Sequence, residues 1–418
     1  MKKVMVCGCG AQGSTICRRL DEEPGIEEII CADYSLAAAE AVCKLMKKGT
    51  PKQVNGADVE AIVEAAQGCE LIVNVMPLDF GVNVLEAAIR VKANYQDLAA
   101  CENVVEGYSE YDTWIEGIKY MYSEYGRRFA ENNTTAIIGT GSAPGVMCVM
   151  ARKVVNELDE CDTISMMVYE GVEAKRFLPY WWSPMVALCD MEEDAYAFEN
   201  GKQIRTKPFS RPVKRKWPEL NYEEVTLVEH AHDEPVYIGF NSETYFKNCK
   251  NAYFKYGGVG IKFAEPLYRA GLLHHEKEKI GDVEVSPYDV ILAHMPPAPK
   301  DPEVIKEILD EGLIADTGAF VCEAYGKKDG KDIMVDLHVS APGVQESYDR
   351  VKMSGEMYLT GQGAFLFTKL FVNDMITQKG LISSDMMNDE QVEQYLEWAK
   401  EWNITYSIDI KEGVKYDD

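Results

Sequence analysis

Val4-Met5-Val6-Cys7-Gly8-Cys9-Gly10-Ala11-Gln12-Gly13 decides the fold, because an apolar run breaks there into Gly-x-Gly-x-x-Gly at the start of the chain. Read as a strand followed by a helix over residues 14–20, the glycines permit a tight turn and let a pyrophosphate approach the helix's first amides. A glycine fingerprint alone is a weak signal. It becomes a dinucleotide cradle when a second strand ends in an acid about 20 residues further on. Glu27-Glu28-Ile29-Ile30-Cys31-Ala32-Asp33 does so. Gly8, Gly10, Ala11, Gln12, Gly13 and Asp33 are therefore the first candidate cofactor-binding residues.

Working outward, strand and helix patterns alternate. Residues 36–46 and 58–66 carry helical spacing, and Leu71-Ile72-Val73-Asn74-Val75 is the unbroken apolar run of a parallel strand buried on both faces. Met76-Pro77 ends that run. Residues 81–91 then read as helix, 93–96 as strand, 108–131 as a long helix and 135–138 as strand. The first 140 or so residues thus spell a Rossmann-type, doubly wound parallel α/β sheet. Ligands of such sheets lie at the carboxyl ends of the strands. Val75, Met76 and Pro77, together with Ser142, Pro144 and Gly145 of the 139–145 turn, join the cofactor-binding set. Asp97 and Asn74 are the candidates for a group near the reacting centre, and no general base is nominated.

After a helix over 146–156 the texture changes. Runs at 163–169, 225–228 and 235–240 read as strands, and 320–325 with 333–339 flank an Asp-Gly hairpin signal at Asp329-Gly330. These predict a second α+β domain with a mostly antiparallel or mixed sheet. From residue 355 onward the pattern reads as helical again, clearest at 363–377 and 388–402. The expected organisation is a dinucleotide domain of 1–145 and 355–418, with a substrate-binding and dimerisation domain of 146–354 inserted between.

Composition limits the function classes. The 418 residues are 46% hydrophobic, enough for two cores. With 69 acidic against 43 basic side chains the net charge is −26, which repels nucleic acid and anionic lipid. Met1-Lys2-Lys3 begins like a signal peptide, but the apolar run that follows is too short for one. No stretch approaches the roughly 18 to 20 apolar residues of a membrane span. Twelve cysteines are scattered without a Cys-x-x-Cys pair, the usage expected of thiols in a reducing cytoplasm.

Several segments resemble the saccharopine dehydrogenase family, in particular its lysine 6-dehydrogenase-like branch. They are the opening fingerprint with Val73-Asn74-Val75-Met76-Pro77, and Gly139-Thr140-Gly141-Ser142-Ala143-Pro144-Gly145, whose Ala-Pro-Gly is similar to that branch. Tyr180-Trp181-Trp182-Ser183 leads to Asp190 and Asn200-Gly201-Lys202. Phe254-Lys255-Tyr256-Gly257-Gly258 and residues 267–273 look like a degenerate Arg-Tyr-Pro-Gly-His segment, with Lys255, Gly257 and Val259 where the family has arginine, proline and histidine. Tyr358-Leu359-Thr360-Gly361-Gln362 and Gly380-Leu381-Ile382 resemble the returning C-terminal helix. The resemblance implies an NAD(P)-dependent oxidoreductase acting on the C–N bond of an amino acid or amino-acid conjugate, as a homodimer. A carboxynorspermidine dehydrogenase-like imine reductase of polyamine synthesis and a non-catalytic dinucleotide sensor are the alternatives.

Asp33 favours NAD over NADP, since a carboxylate accepts from a ribose diol and repels a 2′-phosphate. Arg176, Tyr180, Trp181 and Trp182 are the candidate substrate-binding residues: aromatic faces attract an ammonium ion and a guanidinium grips a carboxylate. The tryptophans also suit a core or a dimer interface, and the arginine a solvated surface. The island Lys202, Arg205, Lys207, Arg211, Lys214, Arg215 and Lys216 either draws an anion or forms a solvated hairpin offset by acids. His230-x-His232-x-Glu234 would share one face if extended, although no metal is expected and a hydrogen-bonded role is preferred.

Overall fold

The N-terminal sheet has seven parallel strands. The computed structural model describes residues 2–100 and 113–416, and these divide into two units, Met1–Val149 with Leu359–Trp402, and Met150–Tyr358 with Asn403–Asp418. In the first unit β1 (Lys2–Cys7), β2 (Ile26–Asp33), β3 (Gly49–Gln53), β4 (Leu71–Asn74), β5 (Asn94–Asp97) and β6 (Thr135–Ile138) are joined by Gly380–Ser383 in the order Gly380–Ser383, β6, β5, β4, β1, β2, β3. Order reverses at β1, with β2 on one side and β4 on the other. The crevice of a doubly wound sheet opens at that reversal. Helices α1 (Ala11–Glu22) and α2 (Leu36–Cys43) follow β1 and β2. The start of the predicted helix over 108–131 lies outside the described residues, and its remainder is helical from Thr113.

Chemistry explains how the end of the chain returns to this sheet. In the helix Gly355–Val372, Gly361 and Gly363 allow close approach: a Cβ at Gly361 would lie 2.8 Å from Gln12 Oε1, and one at Gly363 only 2.6 Å from Val146 Cγ2. Gln96, wholly buried under the same helix, donates to Ala364 O at 2.8 Å and accepts from Thr368 Oγ1 at 2.9 Å. Beyond it 388–402 is helical as expected, over Asp389–Ala399 and Lys400–Trp402, but two other segments are not. Gly380–Ser383 is a strand, because all four residues are buried beside β6 and Leu381-Ile382 supply β-forming apolar bulk there. Thr405–Glu412 is also a strand, paired with Lys331–Ser340, so residues 403–418 group with the second unit and not the first.

The second unit is built on a nine-stranded mixed sheet. Its centre is Glu160–Glu170, parallel to Asn251–Gly258 and antiparallel to Gly318–Lys328, which forms the predicted hairpin with Lys331–Ser340. One predicted strand is a helix: 235–240 lies inside Glu234–Tyr245. Pro235 in the first turn is preorganised for a helix start, and burial of residues 234–238 removes the polar stripe that would have signalled one. Under the sheet, Lys255 and Glu229, each 1% exposed, form an ion pair at 2.9 Å. Lys255 also donates to Arg211 O at 3.0 Å, so it holds strands together rather than facing a substrate. Among the described residues no helix is long and apolar enough to cross a membrane.

Candidate functional site

Each glycine of the fingerprint has its own physical reason. Gly8 has φ +101°, and a Cβ there would sit 2.7 Å from Val75 O, so the turn out of β1 requires glycine. A Cβ at Gly13 would fall 1.8 Å from Gly8 O, which only glycine avoids where α1 packs on the loop. Gly10 differs: a Cβ there meets nothing within 4 Å. That open space lies at the N-terminus of α1, which has no side-chain cap and no acidic residue in its first turn. Uncapped amides carrying the positive end of the helix dipole suit a pyrophosphate. Beside them Gln12 Oε1 is buried without a hydrogen-bond partner. These features fit a dinucleotide, held by Gly10, Ala11, Gln12 and Gly13, with the nicotinamide supplying a hydride carrier.

Asp33 ends β2 with both carboxylate oxygens engaged: Oδ2 accepts from Cys9 N and Oδ1 from Ser35 N, each at 2.8 Å. The acid therefore fixes the loop as well as presenting charge. Across the crevice Val75 N donates to Cys7 O at 2.8 Å, and Met76 N to Asn74 Oδ1 at 3.2 Å, which positions the turn ending in Pro77. Gly145, at φ +118°, closes the 139–145 turn: a Cβ there would be 2.6 Å from Thr140 C. In this turn Pro144 is buried, and Ser142 Oγ lies 2.9 Å from Thr360 Oγ1. The parallel sheet thus gathers the predicted cofactor set along one edge.

Asn74 and Asp97 take another role. Asn74 Nδ2 donates to Tyr95 Oη at 3.1 Å, Tyr95 Oη donates to Asp97 Oδ2 at 3.0 Å, and Gly139 N donates to Asp97 Oδ1 at 2.8 Å. Asp97 is wholly buried. Its carboxylate anchors the 139–145 turn, so it positions that turn and is not placed to move a proton to a substrate.

The aromatic segment of the second unit divides. Trp181 packs in a core cluster with Ala174, Leu178, Ile308 and Val344. Arg176 is held at the surface by Glu311 and Glu307. Neither is arranged as a substrate contact, because the core claims the indole and acids on a neighbouring helix claim the guanidinium. Tyr180 and Trp182 do belong to a polar cluster: their rings meet edge to face at 6.3 Å, and Trp182 Nε1 donates to Glu170 Oε2 at 3.4 Å.

Glu170 is the residue that sequence reasoning missed. It follows the predicted strand, opposite Gly258, whose φ of +121° and absent side chain admit the Glu170 backbone. Tyr256 Oη donates to the same carboxylate oxygen. Burial, reinforced by Glu356, pushes the Glu170 carboxyl up to about 8, outweighing these two hydrogen bonds. Around it His230 stacks on Tyr256 at 4.8 Å and His232 on Phe254 at 3.9 Å. The histidine motif is not a strand, since strand pairing ends at Glu229 and Glu234 opens a helix. His232 Nδ1 lies 2.6 Å from Glu234 Oε2. Burial lowers its affinity for a proton, but Glu234 overrides this and raises the imidazole to about 9. His230, with burial and no such partner, is driven well below its ordinary value. Burial raises Asp233 to about 7. Glu234 Oε1 is buried with no hydrogen-bond partner. Among the described residues no group of three His, Cys, Asp or Glu side chains is arranged to hold a metal ion. Four residues of the basic island are paired in place, Lys207 with Asp194, Arg211 with Glu199, Lys214 with Glu224 and Arg215 with Glu323.

Residues 4–137 match the family model described as the saccharopine dehydrogenase NADP binding domain. The match spans the dinucleotide-binding sheet, and it is this part of the chain that is similar to the saccharopine dehydrogenase family. The chain is similar to carboxynorspermidine synthase of Vibrio alginolyticus, 26% identical over 366 residues that make up 86% of this chain and 83% of that protein. Its fold is shared with apo saccharopine dehydrogenase (L-Glu forming) from Saccharomyces cerevisiae, at a TM-score of 0.68 and 14% identity over 99% of this chain and 100% of that one. It is also shared with the homospermidine synthase of Legionella pneumophila in complex with NAD, at a TM-score of 0.59 and 11% identity over 98% and 91%. NAD(P) is accordingly the cofactor of this chain, and its fold is that of NAD(P)-dependent oxidoreductases.

Proposed function

We propose that this protein reduces the imine formed between a cationic diamine and an amino-acid aldehyde, yielding a carboxylated polyamine. One C=N bond becomes C–N as the reduced nicotinamide gives a hydride to carbon and a proton reaches nitrogen. The observation that carries this reading is the composition of the second unit's cluster. The carboxyl groups of Glu170, Asp190, Asp233, Glu234 and Glu356 act on one another, on Tyr180 and on the single imidazolium of His232. Such an acid-rich, aromatic wall attracts ammonium groups, and Glu234 Oε1 leaves an acceptor for one. The Vibrio relative's name adds support from sequence. A lysine 6-dehydrogenase-like reaction on an amino acid is the second reading, favoured by Ala143-Pro144-Gly145 alone.

Purified protein is expected to oxidise reduced cofactor only when a diamine and aspartate semialdehyde are both present. Turnover of lysine or saccharopine with NAD, and none with the pair, would instead establish the amino-acid reading. Cofactor binding without turnover of any amine or imine would leave a dinucleotide sensor. A homodimer is expected in solution, and a monomer in light scattering at micromolar concentration would overturn that.

The proposal extends to the nucleotide. Asp33 presents its charge where a 2′-phosphate would bind, so NAD is preferred. Asp33→Ser is expected to shift the NADP-to-NAD ratio of kcat/KM upward by about tenfold, roughly 1.4 kcal/mol. An unchanged ratio would mean that other groups read the ribose.

A further inference from the structure

Different strands supply the two sides of the dinucleotide crevice. The acid that meets a ribose, Asp33, ends β2, and the pyrophosphate amides belong to α1. A dinucleotide spanning the order reversal at β1 therefore lays its second nucleotide over the ends of β4, β5 and β6. Two turns stand there, 75–77 after β4 and 139–145 after β6, and β5 lies between them in the sheet.

A chain of side chains with one fixed direction joins these turns. Met76 N donates to Asn74 Oδ1 at 3.2 Å, which aims the Asn74 amide nitrogen at Tyr95 Oη, 3.1 Å away. A phenol has one proton, and with Asn74 donating to its oxygen that proton goes to Asp97 Oδ2 at 3.0 Å. Asp97 Oδ1 accepts from Gly139 N at 2.8 Å, so both carboxylate oxygens act as acceptors. The order does not reverse. Flipping the Asn74 amide would set its nitrogen against Met76 N and cost Asp97 the phenol's proton. Asn74 and Asp97 are direct partners in the β4–β5 register, and with Tyr95 they are at most 5% exposed, so water competes little for these bonds.

We infer that the Tyr95 hydroxyl is a positioning group: by joining Asn74 to Asp97 it holds the two turns at one separation and so sets where the nicotinamide half of the cofactor lies. The inference rests on the NAD(P) assignment and is independent of which amine is the substrate. Each turn has other supports. On the opposite face of β5, Gln96 Nε2 donates to Thr140 Oγ1 at 3.0 Å, and Thr140 Oγ1 donates to Asp97 O at 2.6 Å. Thr140 N and Gly141 N bond Asp97 O and Leu98 O at 3.0 and 3.1 Å, while Val75 N bonds Cys7 O at 2.8 Å. Without the phenol both turns stay attached to their strands. What the phenol supplies is the tie between them.

The test is Tyr95→Phe in the full chain, which removes one oxygen and keeps the ring that packs against Phe129 at 6.4 Å. Calorimetry compares NADH with ADP-ribose, which has the adenosine ribose and pyrophosphate but no nicotinamide, and amide hydrogen exchange is resolved by residue in the nucleotide-free protein. Wild-type protein must bind NADH, which separates failure of this inference from failure of the cofactor assignment. In Tyr95→Phe, NADH affinity is expected to fall about tenfold and ADP-ribose affinity to stay within about twofold of wild type. Exchange at Met76 and Gly139 should quicken by about tenfold or more, while Val75, Thr140 and Gly141 keep their protection. Asn74→Leu cuts the same chain at its other end and should reproduce the pattern. The double variant should lose less than about twofold beyond either single one, as groups acting as one unit do. Unchanged NADH affinity, equal losses for NADH and ADP-ribose, losses that multiply in the double variant, or exchange that rises evenly across these amides would each overturn the inference.

Discussion

Gly10→Asp is expected to abolish cofactor binding and to leave the fold intact. A side chain at this position meets no protein atom within 4 Å, and Gly10 already has φ −72° and ψ −161°, which aspartate adopts without strain. Aspartate is also a favoured N-cap, so thermal stability should stay within about 0.5 kcal/mol of wild type or rise slightly. The same carboxylate occupies the space and the amides that the pyrophosphate needs, and it repels that group at close range. A loss of at least about 100-fold in NAD(P) affinity, roughly 2.7 kcal/mol, is expected. Gly13→Ala makes the contrast, since its Cβ would lie 1.8 Å from Gly8 O and the variant should lose stability as well as binding. Calorimetric binding beside a thermal melt checks both. Wild-type affinity in Gly10→Asp would place the cofactor elsewhere.

Glu170→Gln should lower kcat/KM for the diamine about 100-fold, while NAD(P) affinity stays as in wild type, since Glu170 belongs to the second unit. The charge-assisted contact to an ammonium is lost, whereas the amide keeps the volume and can still accept from Tyr256 and Trp182. The pH behaviour distinguishes this from a packing defect. With its pKa raised from 4.5 to about 8, folded Glu170 holds a proton that the unfolded chain releases. The folded state therefore binds more protons between those values. Stability falls as pH rises through that window, and the penalty is complete above about pH 8. Glu170→Gln should flatten this fall in thermal melts from pH 5 to 9. Binding an ammonium beside Glu170 favours the charged carboxylate, so diamine binding near pH 7 should release protons, read as a buffer-dependent heat, and Glu170→Gln should not. Proton release unchanged in the variant would remove Glu170 from amine recognition.

The cofactor half of the site was legible from sequence because it is built from backbone. Gly8 and Gly13 are required by contacts within one loop–helix unit, and Asp33 falls at a spacing set by one helix and one strand. Such short-range constraints leave a periodic trace. Trp181 and Trp182 show the limit: they are adjacent in the chain, yet one is core beside Ile308 and Val344 and the other donates to Glu170. Adjacent side chains diverge: the core that claims Trp181 comes partly from segments more than a hundred residues away, and the carboxyl that Trp182 meets lies on a neighbouring strand twelve residues back.

The sequence by itself determined a doubly wound dinucleotide domain, its glycine cradle, its acid and a second mixed domain, because hydrophobic period and turn chemistry are local properties. Tertiary structure alone decided that Asp97 anchors a turn, that 235–240 is a helix, that the last strand joins the second sheet, and that Glu170 shares its oxygen with Tyr256 and Trp182. Each of these depends on burial and on partners brought in by long-range strand pairing. Burial is what turns an ordinary carboxyl into one that holds its proton near neutrality, and burial is a property of the packed fold.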